Sequence, residues 1–417
     1  MNTYELARKE FKWERPAQYN FARDVIDRWA QDPKKLAIRW VDDSGIDVGR
    51  SFSEISEASR RVCNLLTYAG IMRGDTVVLI LGRQLAWWEV LTACIRMGVI
   101  VSPGTTQLAA QDLAYRLDAC GAVAIVTDDS CSEKVDTIIN DRESLCARIL
   151  VGGSRTGWID YDTALGEASA EFETVDTAAD DEALCYFTSG TTGYPKMVMH
   201  THSYAIGHQT TGRYWLDLKP EDLHWNISDT GWAKAAWSSY FGPWQCGAAL
   251  FVHHTTGFNP DRVLALLSTY PITTMCGAPT IYRMLVQHEP ETYSYPALRH
   301  CVGAGEPLNP EIIEVWKRAT GLVVRDGFGQ TETTLLCGNF NGIEPRYGSM
   351  GKPAPGIELA VVDTNGNILP PNTEGDIGVK VKPVPPQGVF REYKGEREKT
   401  AKSFRGDWYL TGDRATV

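Results

Sequence analysis

The sequence lacks the features that mark several large classes of protein. Its 417 residues carry 41 Lys and Arg against 52 Asp and Glu, a formal net charge of −11, so no broad basic face for nucleic acid is indicated. No apolar run reaches membrane-spanning length. The first residues contain no basic segment followed by an apolar one, as a secretory signal would. These absences predict a cytoplasmic protein with no membrane span and no nucleic-acid partner.

The ten cysteines are scattered along the chain. They form no CxxC pair and no Cys/His cluster at zinc spacing, which favours reduced, mostly buried thiols over a metal site or a disulfide framework. What is present is an apolar fraction of 43% in a chain of 417 residues. This combination supports a packed interior divided into two or three subdomains.

Apolar strands alternate with amphipathic helices through most of the chain, which predicts parallel βαβ units. We place a first α/β subdomain at 1–178, with Ser53 as a helix N-cap, and a second at 179–345. Residues 346–417 are dense in proline and glycine and carry a hairpin signal at Asn365-Gly366. The predicted fold class is therefore α/β, with two similar parallel-sheet subdomains and a small β-rich, barrel-like subdomain.

One segment concentrates the residue types that hold phosphate. It follows a predicted buried strand at 183–187 and combines glycines, hydroxyl side chains and a lysine. Glycines let backbone amides turn toward an anion, hydroxyls add donors, and lysine adds a point charge. The GxxxxGK[ST] spacing of a Walker A loop is absent. A surface turn is the alternative, which the density of donors disfavours. The predicted polyphosphate loop is Thr188, Ser189, Gly190, Thr191, Thr192, Gly193, Tyr194, Pro195 and Lys196.

Two further polar segments follow predicted strands, where ligands gather in open α/β sheets. In Asp326-Gly327-Phe328-Gly329-Gln330-Thr331-Glu332-Thr333, Thr331 offers a hydroxyl and Glu332 an oxygen ligand suited to Mg²⁺. In Gly303-Ala304-Gly305-Glu306-Pro307, the glycines leave room for a flat ring such as a purine. Taken alone, the first segment also fits a strand-to-helix loop with Glu332 as an acid at the helix start. The second also fits a tight structural turn.

Two other segments have a functional and a structural interpretation. Asp413, in Thr411-Gly412-Asp413, fits a turn former or a carboxylate that accepts both ribose hydroxyls of a nucleotide. Trp232 ends Asp229-Thr230-Gly231-Trp232, and more aromatic residues follow. This density fits the wall of an apolar substrate pocket and equally an ordinary core. The aromatic residues in question are Trp237, Tyr240, Phe241 and Trp244.

The order of these motifs is more specific than any one of them. TSGTTGYPK, DTGW, GAGEP, DGFGQTET and YLTGD, in this order, resemble the adenylate-forming superfamily of acyl-CoA synthetases, luciferases and peptide-synthetase adenylation domains. The resemblance covers essentially the whole chain. The Met197 that follows Lys196 and the wording GFGQTET are similar to the medium-chain acyl-CoA synthetase branch.

The resemblance implies an AMP-forming ligase, with ATP, Mg²⁺ and coenzyme A. A carboxylate would attack the α-phosphate of ATP to give an acyl-adenylate and pyrophosphate, and the thiol of coenzyme A would then displace AMP. It also implies roles by position. Thr188 through Lys196 would hold the β- and γ-phosphates, and Thr331 would contact the α-phosphate. Glu332 and Thr188 would hold Mg²⁺, and Asp413 would bind the ribose. The adenine would be enclosed by Gly303, Ala304, Gly305, Glu306, Pro307, Asp326, Gly327 and Phe328.

Substrate size is predicted from one position. Similar acetate enzymes carry a tryptophan immediately before the Gln-Thr-Glu, where this chain has Gly329. Loss of an indole would leave room for several methylenes, each worth about 0.8 kcal/mol when buried. With Trp232 as a pocket wall, we expect a medium-chain, branched or aromatic acid as the small carboxylic acid substrate.

The family pattern continues beyond TGD with a small C-terminal domain that carries a second lysine for adenylation. We therefore interpret this chain as the large N-terminal part of such an enzyme, with that mobile domain absent, and expect weak turnover from it. Three alternatives stay open: a short-chain ligase similar to acetyl-CoA synthetase, an adenylation domain that loads a carrier protein, and a nucleotide-binding module without turnover.

Overall fold

The computed structural model of the protein describes residues 3–139, 145–188 and 194–417. In chain order the strands are β1 (Leu36–Asp42), β2 (Asp47–Ser51), β3 (Thr76–Ile80), β4 (Ile100–Pro103), β5 (Ala122–Thr127), β6 (Ala147–Leu150), β7 (Ile159–Asp160), β8 (Glu182–Thr188), β9 (Lys196–Thr201), β10 (Leu223–Asn226), β11 (Ala249–His254), β12 (Thr274–Gly277), β13 (His300–Ala304), β14 (Val324–Gly329), β15 (Leu335–Gly338), β16 (Lys352–Pro353), β17 (Leu359–Val362), β18 (Gly375–Lys380), β19 (Glu392–Tyr393), β20 (Phe404–Arg405) and β21 (Trp408–Ala415).

The helices lie between these strands. They are α1 (Thr3–Glu10), α2 (Asp27–Trp29), α3 (Phe52–Tyr68), α4 (Leu85–Met97), α5 (Ala110–Ala119), α6 (Asp129–Ile138), α7 (Tyr161–Glu167), α8 (Tyr204–Thr210), α9 (Ala233–Ala236), α10 (Gly242–Gln245), α11 (Pro260–Thr269), α12 (Pro279–Leu285), α13 (Pro310–Thr320) and α14 (Arg397–Lys402). Single π-helical turns occur at Ala22–Ile26, Thr211–Trp215 and Trp237–Phe241, and a 3₁₀ turn at Pro290–Thr292.

Within the described residues the strands form two large sheets and one small sheet. The first has the order β19-β9-β8-β4-β3-β5-β6-β7, and the second β16-β15-β14-β13-β12-β10-β11-β1-β2. Both are parallel at their centres, with helices between successive strands, because the apolar runs and helical periods alternate along the chain. The predicted α/β class with two parallel-sheet units is confirmed.

Some strands lie in a different sheet from the one that their chain position suggests. β1 pairs with β11 at the edge of the second sheet, with Ile38 beside Leu250. β8 pairs with β4 in the first sheet, with Leu184 beside Val101. The sheets therefore do not follow the predicted division at residue 178. An apolar pattern indicates that a strand is buried and does not specify its neighbour.

The small sheet is antiparallel and has the order β17-β18-β21-β20. Within the described residues it is an open sheet and not a closed barrel. The turn predicted at Asn365-Gly366 is confirmed: the carboxylate of Asp363 accepts from the amides of Asn365 and Asn367 at 2.8 and 2.9 Å, and Gly366 has a φ of +86°.

Two local predictions need correction. The N-cap of α3 is Ser51 and not Ser53, because Ser51 and Glu54 form a reciprocal capping box. The element that directly follows the Asp326–Thr333 motif is a strand and not a helix. β14 instead continues to Gly329 and pairs with antiparallel β15, so the strand-to-helix alternative is wrong and Glu332 lies in a hairpin connection.

The predicted burial of most thiols is confirmed. All ten cysteines lie in the described ranges, where none is in a disulfide, and most of them are buried. In the part of the chain that the structure describes, no helix has the length and apolar character needed to cross a bilayer.

Candidate active site

The base of the predicted polyphosphate loop is an antiparallel hairpin. Thr188, the last residue of β8, pairs with Lys196, the first residue of β9. Five of the nine residues predicted to cradle the phosphates, at 189–193, lie outside the described residues. The ammonium of Lys196 lies 4.4 Å from the centroid of the Tyr393 ring. The structure therefore places both ends of the loop and gives its lysine an aromatic neighbour.

The two predicted adenine-binding segments lie side by side. β13 and β14 are parallel neighbours, with Gly303 opposite Asp326 and Ala304 opposite Gly327. Both segments leave the sheet at the same carboxyl edge, where a ligand would contact them together. Beyond that edge Gly305 has a φ of +111° and is exposed.

Side chains around these segments are fixed by further contacts. The carboxylate of Glu306 accepts from the amide of Thr280 at 3.0 Å. Burial raises the pKa of Asp326 to about 6, although the amide of Gly327 donates to this carboxyl group at 2.9 Å. A Cβ on Gly327 would lie 2.6 Å from the indole of Trp215. Glycine at this position therefore allows close packing against Trp215, and its contact with adenine stays a prediction.

The prediction missed Lys234, which lies on α9 next to both segments. Its ammonium donates to the carbonyl of Ala304 at 2.8 Å. Burial lowers the pKa of Lys234, and its charge lowers the pKa of nearby Asp326. A lone lysine in the apolar, aromatic stretch 233–241 is the sequence signal that would have revealed it.

Glu332, the predicted Mg²⁺ ligand, is 9% exposed and held by a tyrosine. The hydroxyl of Tyr393 donates to Glu332 Oε1 at 2.7 Å. Burial raises the pKa of this phenol, so it keeps its proton and acts as the donor. Within residues 3–139, 145–188 and 194–417, no hydrogen bond to Glu332 Oε2 is found.

A glutamine joins the Thr411-Gly412-Asp413 motif to this site. Gln330 donates through Nε2 to the carboxylate of Asp413 at 2.6 Å and to the carbonyl of Thr411 at 2.8 Å. Its Oε1 accepts from the hydroxyl of Tyr409 at 3.1 Å. Residues about eighty positions apart are thereby brought together, and the exposed Asp413 lies beside the hairpin that carries Thr331 and Glu332.

A chain of aromatic contacts runs behind Thr331. Neutral His200, whose pKa burial lowers to about 4, donates through Nε2 to the carbonyl of Thr331 at 2.7 Å. The imidazole stacks on Tyr204 with ring centroids 3.8 Å apart. The hydroxyl of Tyr204 accepts from Trp237 Nε1 at 3.1 Å. His200 is therefore a positioning neighbour of Thr331.

The position of Trp237 contradicts the expectation that Gly329 leaves open space for the acyl chain. A Cβ built on Gly329 would lie 2.4 Å from Trp237 Cη2 and 2.4 Å from the carbonyl oxygen of Thr334. The space that a missing indole was expected to leave is filled by the indole of Trp237, which is 4% exposed. Sequence position alone could not show this, because the two residues are distant in the chain.

Trp232 has a different environment from the one predicted. It precedes α9 and is 61% exposed, so in this structure it does not wall a closed pocket. Its neighbour Gly231 packs directly on the loop after β4, where a Cβ would lie 2.1 Å from the amide nitrogen of Thr105. Only glycine permits this approach, which joins the two large sheets.

A cleft of about 520 Å³ opens beside that junction. Its wall contains the half-buried Arg83, whose pKa burial lowers, together with Thr106, Thr230 and His254. The Nδ1 atom of His254 is buried and has no hydrogen-bond partner among the described residues. The cleft is therefore a cavity with both polar and apolar walls at the boundary of the two sheets.

The donor set at Glu332 fits Mg²⁺. No group of three or more His, Cys, Asp or Glu side chains that could hold a metal is found within the described parts of the chain. Mg²⁺ is usually held by one or two carboxylates plus substrate phosphates and water. A buried glutamate with one oxygen that accepts no hydrogen bond from the described residues matches that requirement, and Thr188 lies at the base of the phosphate loop.

Residues 26–393 match the family described as AMP-binding enzyme. This match includes most of the site just described. The chain belongs to the AMP-binding enzyme family. Enzymes of this family use ATP, which agrees with the predicted nucleotide.

Curated relatives support the same assignment. The chain is 45% identical to human acyl-coenzyme A synthetase ACSM3, mitochondrial, over 99% of its own length and 72% of the relative's. It is 45% identical to human acyl-coenzyme A synthetase ACSM4, mitochondrial, covering 96% of this chain and 71% of the relative. The chain therefore spans a little under three quarters of these relatives.

Solved structures share the fold over nearly the whole chain. An acyl-CoA synthetase from Brucella canis superposes with a TM-score of 0.91 and 28% identity, covering 100% of this chain and 78% of that one. ATP-bound MatB from Rhodopseudomonas palustris has a TM-score of 0.84 and 26% identity, covering 96% of this chain and 77% of that one.

Proposed function

We propose that this protein is an AMP-forming carboxylic acid:coenzyme A ligase. The observation that carries the proposal is the convergence of three separated motifs, in which Gln330 joins Asp413 to the hairpin of Thr331 and Glu332. That hairpin starts from the strand beside the 303–307 segment. Family membership and relatives named acyl-coenzyme A synthetase support it.

In the first step the substrate carboxylate attacks the α-phosphorus of ATP, and the bond to the pyrophosphate oxygen breaks. The chain's contribution is positioning and charge stabilisation. Asp413 would accept from the ribose hydroxyls, with its orientation fixed by Gln330. Thr331 would contact the α-phosphate, with its backbone held by His200. Lys196 would offset negative charge on the departing pyrophosphate.

Glu332 and Thr188 would hold Mg²⁺, which when bound neutralises phosphate charge. Lys234 adds a half-buried ammonium beside the adenine-binding segments. An incoming carboxylate and a triphosphate repel each other, so this cation would lower the cost of bringing them together.

In the second step the thiol of coenzyme A attacks the acyl carbonyl, and AMP leaves. We propose that the cleft beside Arg83 and Thr106 admits this second substrate. Its position at the sheet boundary and the polar side chains in its wall support a ligand with polar groups. Coenzyme A is proposed as the acceptor because the relatives are named acyl-coenzyme A synthetases. The cytoplasmic location stays a prediction, and the names of these relatives include the word mitochondrial.

A binding panel tests the proposal. Non-hydrolysable acyl-sulfamoyl adenosines carrying acetyl, butyryl, octanoyl and benzoyl groups are titrated into the protein by calorimetry, with pyrophosphate exchange measured for the same acids. We expect binding of the series to be far tighter than binding of AMP, with the octanoyl or benzoyl compound preferred. Equal, weak binding of all compounds would contradict the function, and preference for acetyl would contradict the substrate class.

A further inference from the structure

Tyr393 contacts both Lys196, which the proposed chemistry assigns to the phosphates, and Glu332, which it assigns to the cation. Its hydroxyl donates to Glu332 Oε1 at 2.7 Å, and its ring lies 4.4 Å from the ammonium of Lys196. The side chain is 4% exposed. None of the sequence motifs contains this residue, which lies on the two-residue strand β19.

The backbone around Tyr393 is anchored to the same two elements. β19 pairs with β9, the strand that leaves the polyphosphate loop, with Tyr393 opposite Val198. Just before it, the amide of Phe390 donates to the carbonyl of Glu332 at 2.7 Å. After it, the amide of Lys394 donates to the carbonyl of Met197 at 2.9 Å. A short segment thus holds both the loop strand and the backbone of the glutamate.

We propose that Tyr393 is a positioning residue that orients Glu332 toward a divalent cation and retains Lys196 beside it. The inference rests on the proposed function. The phenol occupies one carboxylate oxygen and leaves the other for the cation, which fixes the carboxylate rotamer before the metal–nucleotide arrives. The ring attracts the ammonium and limits the positions that the long lysine side chain samples.

The two contacts can be separated by substitution. Tyr393→Phe keeps the ring beside Lys196 and removes the bond to Glu332. Tyr393→Leu removes both. Tyr161→Phe is a matched control, because Tyr161 is a buried tyrosine whose hydroxyl donates to a different glutamate, Glu89, at 2.6 Å, inside the first α/β unit.

The measurement is ATP affinity by calorimetry as a function of Mg²⁺ concentration, with EDTA as the metal-free condition. For Tyr393→Phe we expect the Mg²⁺ concentration for half-maximal tightening to rise about tenfold, with metal-free ATP affinity unchanged. For Tyr393→Leu we expect the same shift and about threefold weaker metal-free binding. Tyr161→Phe should lower the melting temperature and leave the Mg²⁺ dependence as in the wild type.

An unchanged Mg²⁺ dependence in Tyr393→Phe, with a melting temperature lowered as in Tyr161→Phe, would show a structural role only and overturn the inference. A tighter Mg²⁺ response would also overturn it, since the phenol would then compete with the cation. No ATP binding by the wild type would overturn the proposed function itself. If Tyr393→Leu does not fold, Tyr393→Phe decides the cation contact alone.

Discussion

A buried tyrosine donates to a glutamate inside the first α/β unit and again at the candidate active site. The bonds are alike, at 2.6 Å for Tyr161 to Glu89 and 2.7 Å for Tyr393 to Glu332. Their surroundings differ. Glu89 lies on α4, where burial raises its pKa. Glu332 lies in a hairpin connection, and the ring of the tyrosine that donates to it also contacts the ammonium of Lys196.

The comparison shows that bond geometry does not distinguish a structural pair from a functional one. A carboxyl group buried without a cation is stabilised in its protonated form. A carboxylate with a free oxygen, at the carboxyl edge of a sheet and beside a phosphate loop, is placed to bind a cation. The surroundings of Glu332 therefore support its predicted role, and those of Glu89 indicate core packing.

The largest difference in pyrophosphate exchange is expected between variants of the two glutamates, Glu332 and Glu89. Glu332→Gln should lower pyrophosphate exchange by about a hundredfold or more, because the charge that would hold Mg²⁺ is lost while the side-chain shape is kept. Glu89→Gln should change exchange less than twofold. Equal losses in the two variants, at equal melting temperatures, would contradict the distinction.

Two tryptophans extend the comparison to apolar packing. Trp237 lies against Gly329, and Trp88 of α4 lies in the first unit with its Nε1 donating to the carbonyl of Ser239 at 2.7 Å. Truncation of either to alanine should cost about 3–5 kcal/mol of stability. Trp237→Ala should also favour longer acids, by up to about fourfold per added methylene, because it opens the space beside Gly329.

Competition between acids of increasing length in pyrophosphate exchange measures this preference, and Trp237→Phe gives a milder version if the alanine variant is unstable. Trp88→Ala should leave the ranking of acids unchanged. Gly329→Trp would introduce the indole that acetate enzymes carry at this position. This substitution should destabilise the protein, since the new side chain would collide with Trp237 and the Thr334 carbonyl, and should not cleanly convert the preference to short acids.

The smallest effect is a pH dependence of stability. The folded-state pKa of Glu89 is raised above its ordinary value of 4.5 by burial, so its contribution is greatest below that pH and is lost as the pH rises through the folded-state pKa. Glu89→Gln removes the dependence. The melting temperature of the variant minus that of the wild type should therefore increase from pH 4 to pH 7, and a flat difference would contradict the prediction.

Much of the fold was predictable because local patterns specify it. The helix at Leu85–Met97 has an apolar helical pattern and the strand at Ala122–Thr127 is a continuous apolar run, and both kinds of pattern are local properties that can be read from the sequence. Sheet membership was not predictable in this way. β1 joins the second sheet and β8 the first, and pairing between distant strands depends on the whole packing arrangement.

The candidate site likewise contains residues that the sequence could indicate and residues that it could not. Motif order indicated the segments that hold Thr331, Glu332 and Asp413, because glycine, hydroxyl and carboxylate residues have recognisable chemistry. The positioning residues lacked such a signal. Tyr393 lies outside every motif and reaches Glu332 only because β19 pairs with β9.

The sequence by itself determined the class of protein, the alternation of strands and helices, and the order of the phosphate, adenine and ribose motifs. Tertiary structure alone decided that Trp237 fills the space beside Gly329, that Lys234 lies against Ala304, and that Tyr393 holds Glu332. The physical reason is that side-chain chemistry and backbone periodicity are properties of neighbouring residues. Occupied volume and hydrogen-bond partners are properties of residues that meet only after the chain has folded.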